Sequence, residues 1–211
     1  MAVSTGDDAR HELNRSIHER HPRVRDAVPA DARVVAAHRG ERSEFRGPLD
    51  TFLQILRLLW VTDAFAAQVL YRVKARLQAR GVPIVPRIAH RLAMLISQVA
   101  IGDYTVVAPG VYIVHGQCVI DGITEIGSGV VVSPHVTVGL RAGVFQGPVI
   151  ESNVNIGTGA KVIGPVRVGD GAKIGANAVV VDDVPPGVTV VGAPARPVEG
   201  QIELAADGHA D

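Results

Sequence analysis

The chain has 211 residues, enough for one domain with a sizeable core, and its 21 basic and 21 acidic residues give a formal net charge of zero. This balance argues against a general affinity for nucleic acid or an anionic membrane, since both attract an excess of Lys and Arg. The single cysteine, Cys118, excludes an internal disulfide and predicts a reducing compartment, with a buried thiol favoured over a reactive one. The first residues lack the basic-then-apolar pattern of a signal peptide, so we expect a cytoplasmic protein.

Residues 1–48 combine many charges with few aliphatic side chains and show no apolar periodicity. This composition predicts a flexible N-terminal arm or a weakly held helix, because too little apolar surface is present to hold the segment in place. The histidines of this segment are expected to be solvated, and no chemistry is assigned to them.

Residues 49–99 are predicted to form a small helical region, because their apolar side chains recur at helical spacing. Asp63 marks a break between two helices, Gly81 ends the second, and a third short amphipathic helix follows Pro86. The apolar run 52–60 contains polar residues and is too short to span a bilayer. We expect these helices to bury their apolar stripes over the open end of the next region or against another subunit.

Residues 100–184 carry a β-branched aliphatic residue at every sixth position. A period of six fits neither a helix nor an alternating strand, whereas it suits a solenoid in which each hexad supplies one short strand and one turn. An earlier set, ending at Val119, lies one residue out of frame, and a slip between residues 119 and 126 joins the two sets. The main series is Ile126, Val132, Val138, Val144, Ile150, Ile156, Val162, Val168, Ile174 and Val180. The sequence therefore predicts a mainly β fold, a parallel β-helix of hexapeptide repeats, and not a β-sandwich, whose turns recur about every 8–12 residues.

Residues 185–211 are predicted to form a C-terminal extension and tail. The pair Pro185 and Pro186 is expected to stop the coils, because proline lacks the backbone donor that a sheet requires. A short strand is expected over Val188–Val191, and the acidic residues at the end of the chain are expected to be loose.

The repeat, the helices before it and the closing segment VPPGVTVVGAPARPV together resemble bacterial serine O-acetyltransferases, within the hexapeptide-repeat acyltransferase superfamily. The segment PGVYIVHGQCVIDG points to that family in particular. The resemblance covers roughly residues 50–198. It implies a left-handed β-helix, a homotrimer with a hexamer as the alternative through the helical region, a cysteine-synthase-type partner, and acetyl-CoA as cosubstrate with no metal.

The sequence VHGQC stands where that family has its catalytic histidine motif, so the resemblance implies that His115 is the general base. Acetyl transfer to a hydroxyl needs a base that titrates near neutrality, which points to the same residue. The chain departs from the family at Ala100, which stands fifteen residues before His115, where those enzymes have an aspartate that orients the imidazole. It also departs in the loop after Val138, which is shorter and has Gln146 and Gly147 where Arg and His are expected.

Arg141 and Gln146 in this loop are the candidates for substrate binding, since a guanidinium suits a carboxylate. Three hexads make one coil, so the spacing places Pro134 beside His115 one coil later and predicts that His135 lies close to His115. His135 then contacts substrate, assists the base as a second catalytic residue, or caps a corner.

For the coenzyme, the resemblance implies contacts from Gly157, Thr158, Lys173 and Ala176, and a basic partner for a CoA phosphate at Arg196. A solvated side chain is the open alternative for Lys173. The predicted function is acetyl-CoA-dependent transfer to L-serine in cysteine biosynthesis. The alternatives are an acyltransferase acting on another hydroxyl or amine, or a non-catalytic β-helix scaffold. Zinc-dependent hydration needs three histidine ligands, and the repeats contain two histidines.

Overall fold

The computed structural model describes residues 6–198, with side chains from residue 12 onward, and places five helices before a β-helix. The helices are α1 (Gly6–Arg20), α2 (Val24–His38), α3 (Pro48–Val61), α4 (Phe65–Gln78) and α5 (Val85–Ser97). The strands are β1 (Val99–Ile101), β2 (Val106–Val107), β3 (Tyr112–Ile113), β4 (Cys118–Ile120), β5 (Ile123–Ile126), β6 (Val131–Val132), β7 (Thr137–Gly139), β8 (Gln146–Ile150), β9 (Asn155–Ile156), β10 (Lys161–Ile163), β11 (Arg167–Val168), β12 (Lys173–Ile174), β13 (Val179–Val180), β14 (Thr189–Val191) and β15 (Arg196–Pro197). Within this range no single helix is long and apolar enough to cross a membrane, although α3 and α4 reach that length and composition as a pair bent by 117°.

The strands form three sheets, which we call faces A, B and C. Face A consists of β1, β4, β7, β10 and β13, face B of β2, β5, β8 and β11, and face C of β3, β6, β9, β12 and β14, closed by the antiparallel β15. Each coil passes through A, B and C in turn, and each strand pairs in parallel with the strand one coil earlier. The structure thus confirms the predicted parallel β-helix preceded by a helical region.

Each strand from β1 to β14 places at least one aliphatic side chain in the axial core, and the register of this core corrects the predicted frame. Val119 is 45% exposed, whereas Ile120 is 1% exposed. The one-residue slip therefore lies between Ile113 and Ile120, not between residues 119 and 126. In the next coil, Val132 pairs with Ile113 and Thr137 pairs with Val119. The corner after β3 therefore contains one residue more than the corresponding corner after β6.

One residue of the predicted core series lies outside the core. Val144 belongs to the loop 140–145 between β7 and β8 and is half-buried, whereas Val138 and Ile150 are almost fully buried. The loop has the length of one hexad, so it leaves the six-residue frame unchanged. Periodicity alone therefore cannot distinguish it from a strand.

Polar side chains of α4 close the first coil together with Ala67 and Tyr71, which pack against its apolar core. The carbonyl groups of this coil have no earlier coil to pair with, and buried backbone acceptors without a partner are costly. The donors and acceptors are Tyr71 to Thr105, Gln68 to Val111, Lys74 to Ile101, and Arg72 to both Val107 and Ala108. The helical region therefore continues the hydrogen bonding of the solenoid beyond its first coil.

Residues 24–38 form a packed helix where the sequence indicated a flexible arm or a weakly held helix. The apolar side chains that α2 buries are Ala27, Val28, Ala32, Val35 and Ala36. Asp31 and Arg72 form an ion pair at 3.0 Å with both side chains almost fully buried, and the backbone N–H of Gly110 donates to the same carboxylate at 2.8 Å. Burial raises the pKa of Asp31 from its ordinary value, and Arg72 opposes that shift. This buried contact ties α2 to the first coil, and composition alone does not show it.

The apolar stripes of α3 and α5 are only partly buried within the chain: Leu58, Ala89 and Ala93 are buried, but most of the large apolar side chains are exposed. The exposed residues of these two helices and the loop before α5 are Leu49, Phe52, Leu53, Leu56, Trp60, Val61, Ile84, Val85, Ile88, Leu92, Met94, Leu95 and Ile96. The other expectation, that these stripes pack against another subunit, stays open.

The solenoid continues beyond its predicted end at residue 184. β14 pairs with β12, and Val188 and Val190 are buried, so the short strand expected over Val188–Val191 adds to the last coil. Residues 1–5 and 199–211, which include the predicted acidic tail, lie outside the described residues.

Candidate active site

His115 lies at the corner between faces C and A of the first coil, where the extra residue is inserted. Its side chain is 71% exposed. The φ angles of His115, Gly116 and Gln117 are 56°, 87° and 54°, so three consecutive residues adopt the left-handed region. This conformation is costly for residues other than glycine and is concentrated at functional sites. The corner therefore bulges outward and presents the imidazole to solvent.

Asp63 supplies a carboxylate to this imidazole. It lies in the break between α3 and α4, and its Oδ2 is 2.8 Å from Nδ1 of His115. When Nδ1–H donates to the carboxylate, Nε2 keeps its lone pair and can accept a proton. The aspartate that the sequence lacks at Ala100 is thus replaced from a different element, 52 residues before the histidine. The sequence indicated Asp63 only as a helix break, because nothing in linear spacing connects it to the corner.

Ser97, the last residue of α5, contacts the segments that carry both members of this pair. Its hydroxyl donates to the backbone carbonyl of Asp63, and its carbonyl accepts the N–H of Gln117 at 2.9 Å. A Cβ at Gly116 would lie 2.2 Å from the Ser97 carbonyl oxygen, so the turn requires glycine at this point.

The corner that begins at His115 continues along the solenoid as a single edge. Backbone N–H groups in successive coils donate to the corner before them: His135 to Gln117, Gly159 to Pro134, and Asn177 to Thr158. Coils stack about 4.8 Å apart, so three steps cover about 14 Å. Of the predicted coenzyme residues, Gly157, Thr158 and Ala176 lie on this edge, where small side chains leave the surface open beyond His135.

Other predicted site residues lie near this edge but do not contact the His115–Asp63 pair. His135 is exposed, and its backbone N–H donates to the carbonyl of Gln117, two residues after His115. Over residues 12–198 the described hydrogen bonds and ring contacts include none between the two imidazoles. Lys173 is exposed on face C, and Arg196 forms an exposed ion pair with Asp182 at 3.0 Å.

The two predicted substrate-binding residues lie at another corner. Arg141 is exposed in the loop between faces A and B. It packs beside Gly164, where an added Cβ would lie 3.4 Å from the Cβ of Arg141. Gln146 is exposed at the start of β8. Within one chain the fold therefore separates both residues from the edge that carries His115.

Neither a metal nor a reactive thiol is indicated in the part of the chain that the structure describes. Over those residues no group of three or more His, Cys, Asp or Glu side chains could hold a metal ion. Cys118 is 1% exposed, and this burial raises the pKa of its thiol to about 12. The predicted buried cysteine is confirmed.

Comparison with known proteins shows which proteins this chain resembles. Residues 147–182 match the family model for the bacterial transferase hexapeptide (six repeats). A serine acetyltransferase of Helicobacter pylori is 39% identical over 136 residues, which cover 63% of this chain and 79% of that protein. A serine acetyltransferase of Synechococcus elongatus is 36% identical over 145 residues, which cover 67% of this chain and 59% of that protein. The chain thus spans a little over half the length of the second relative.

Solved structures of the same kind share the fold. Soybean serine acetyltransferase in complex with serine has a TM-score of 0.71 and 30% identity, over 84% of this chain and 70% of that one. A serine acetyltransferase in complex with CoA has a TM-score of 0.71 and 27% identity, over 89% of this chain and 75% of that one. The identity to the Helicobacter pylori relative, over most of its length, shows that this chain belongs to the serine acetyltransferase family.

Proposed function

We propose that this protein is an acetyl-CoA-dependent serine O-acetyltransferase with His115 as the general base. The observation that carries the proposal is the His115–Asp63 pair, exposed on an edge of the β-helix in a chain of this family. Relatives solved with serine and with CoA support these two molecules as acceptor and acetyl donor.

The pair suits a direct transfer in a ternary complex. Nε2 of His115 removes the proton of the acceptor hydroxyl while its oxygen attacks the thioester carbonyl carbon. Asp63 stabilises the imidazolium that forms and keeps the ring oriented through Nδ1. The tetrahedral adduct then breaks its C–S bond, and the CoA thiolate takes the proton from His115. The products are the acetyl ester and free CoA, and the base returns to its starting state.

We place the coenzyme along the edge that His115 begins. The small residues at the corners of the third and fourth coils leave space for an extended arm beside the backbone, and the thioester then reaches His115 at one end. Lys173 and Arg196 are the charged side chains proposed for the phosphates at the other end. Arg196 is already paired with Asp182, but an exposed pair is weak enough to exchange for a phosphate.

A homotrimer is proposed as the functional assembly, with the exposed apolar residues of α3 and α5 covered by another copy. These two helices expose twelve large apolar side chains between Leu49 and Ile96, which is unusual for a monomer. The two charged residues of α3 already have partners: Asp50 pairs with Arg42, and Arg57 pairs with Glu41. Light scattering after gel filtration tests the assembly, and a monomer at micromolar concentration would contradict it. The hexamer, the cysteine-synthase-type partner and the cytoplasmic location stay predictions.

Release of free CoA, measured with a thiol reagent, tests the activity against L-serine and a panel of other amino acids, sugars and amines. We expect turnover of L-serine and a loss of about 10²- to 10⁴-fold in His115→Asn. His135→Asn is the matched variant on the same edge and reports whether His135 takes part.

The panel also tests the alternatives. Because Arg141 and Gln146 lie away from the His115 edge, a different acceptor is the second candidate, and CoA release with a compound other than serine would favour it. Absence of CoA release with every acceptor, from protein shown to be folded, would favour the non-catalytic scaffold.

A further inference from the structure

We propose that Ser97 is a positioning residue that joins the backbone of Asp63 to the His115 turn and thereby aligns the general base. This inference rests on the proposed function. Ser97 reaches in both directions: its hydroxyl donates to the Asp63 carbonyl, and its carbonyl accepts the N–H of Gln117 at 2.9 Å. Through these two hydrogen bonds, Ser97 connects the helix break at Asp63 with the corner of the first coil at residues 115–117.

The His115–Asp63 pair needs such a connection because packing does not hold either side chain. The side chains of Asp63 and His115 are 68% and 71% exposed. An exposed pair of this kind contributes little free energy, so it does not by itself hold the two side chains in one rotamer each. The alignment of the two side chains must therefore come from the backbone segments that carry them, which belong to different elements.

Ser97 is held firmly enough to provide the alignment. It is 5% exposed and ends α5, and Gln98 after it adopts the left-handed region with its N–H bonded to Met94. The last carbonyl groups of a helix have no partner within the helix. The carbonyl of Ser97 finds its partner in Gln117, so the helix end and the turn satisfy each other.

The turn in its own right needs an external restraint. Residues 115–117 all have positive φ, a combination that persists only where the surroundings impose it. Gly116 packs so closely on the Ser97 carbonyl that a Cβ there would lie 2.2 Å from the oxygen. Contact with the end of α5 therefore shapes the turn, and the serine hydroxyl transmits the same position to Asp63.

The hydroxyl can be removed without touching the contact to Gln117, because that contact uses the backbone of Ser97. In Ser97→Ala we expect kcat to fall about 2- to 10-fold with the KM for acetyl-CoA unchanged, the range expected for one lost neutral hydrogen bond. Ser97→Thr keeps the hydroxyl and is expected to restore kcat.

A double-mutant cycle gives the decisive comparison. If Ser97 acts through Asp63, Ser97→Ala costs nothing further in an Asp63→Asn background. Thr124→Val is the matched control, since Thr124 also donates a buried hydroxyl to a backbone carbonyl, at 2.7 Å from Asp121, but lies away from His115. We expect this control to change stability without lowering kcat.

Either of two results would overturn the role of Ser97 while leaving the proposed function intact. They are an unchanged kcat in folded Ser97→Ala, or a full additional loss in the Asp63→Asn background, measured while wild-type protein turns over serine and His115→Asn does not. Failure of the wild-type protein to release CoA with any acceptor would overturn the proposed function instead. Circular dichroism and urea unfolding of each variant establish that it is folded. If Ser97→Ala does not fold, the kinetics of Ser97→Thr are compared with wild type instead.

Discussion

Asp63→Asn replaces the carboxylate beside His115 with an amide of nearly the same size, and we expect kcat/KM for acetyl transfer to fall about 10- to 150-fold. The carboxylate lies 2.8 Å from Nδ1, within range of a charge-assisted hydrogen bond when the imidazolium forms. A hydrogen bond to a charged group contributes about 1.5–3 kcal/mol. At about 1.4 kcal/mol for each factor of ten in rate, this range corresponds to the expected loss. The amide can also donate to Nδ1, which would move the ring proton to Nε2 and block the base.

The same substitution should leave the fold almost unchanged. Both side chains are about two-thirds exposed, so the free energy of unfolding is expected to change by less than about 1 kcal/mol. Activity and stability therefore separate in this variant. Asp26→Asn is the matched control, because Asp26 is 63% exposed and faces Arg25 at 3.8 Å on α2, away from the edge. We expect this control to keep the wild-type activity.

Initial rates of CoA release across a pH series, with urea unfolding of the same samples, measure both effects. The KM for acetyl-CoA should stay at the wild-type value, since Asp63 lies before the first coil while the residues proposed to bind the coenzyme lie in later coils. If folded Asp63→Asn keeps more than about half of the wild-type kcat/KM, a loss below the smallest that one such bond predicts, then the carboxylate does not orient the base.

Three further predictions concern buried or partly buried groups. Asp31→Asn leaves the guanidinium of Arg72 buried without its counter-charge, so we expect about 3–5 kcal/mol less stability to urea, and a loss below about 1 kcal/mol would contradict the role of this pair. Burial raises the pKa of the Cys118 thiol to about 12, so a thiol reagent should label it at neutral pH only when the protein unfolds, and rapid labelling of native protein would disprove this. Burial, with smaller effects of nearby cations, lowers the pKa of His21 from 6.5 to about 4, so the unfolded chain takes up a proton that the folded chain excludes as the pH falls through that window. Urea unfolding should therefore show stability decreasing between those two values, and His21→Gln should flatten the dependence.

The architecture could be predicted because a solenoid repeats the same local requirement in every coil. Each strand needs one aliphatic residue for the axis, so a period of six is visible without knowledge of any distant contact. The same simplicity conceals two features. The slip at the first corner shifts Val119 outward and Ile120 inward, and the loop around Val144 has the length of a hexad. In both cases the residue types fit either reading, and only burial distinguishes them.

The site was predictable to a lesser degree, for a related reason. His115 stands in a recognisable motif, and Gly157, Thr158 and Ala176 follow it along one edge because the coil length sets their stacking. Asp63 has no such rule. Its contact with the histidine depends on how a helix break packs against the first corner, across 52 residues of chain.

By itself, the sequence determined the β-helix, the helices with their break at Asp63, the buried Cys118 and the histidine proposed as the base, because each follows from a local period or motif. The tertiary structure alone decided which carboxylate faces His115, that Ser97 joins the two, and that polar side chains of α4 close the first coil. These contacts link elements that are far apart in the chain. Their geometry is set by packing between helix and solenoid, and no spacing along the sequence encodes it.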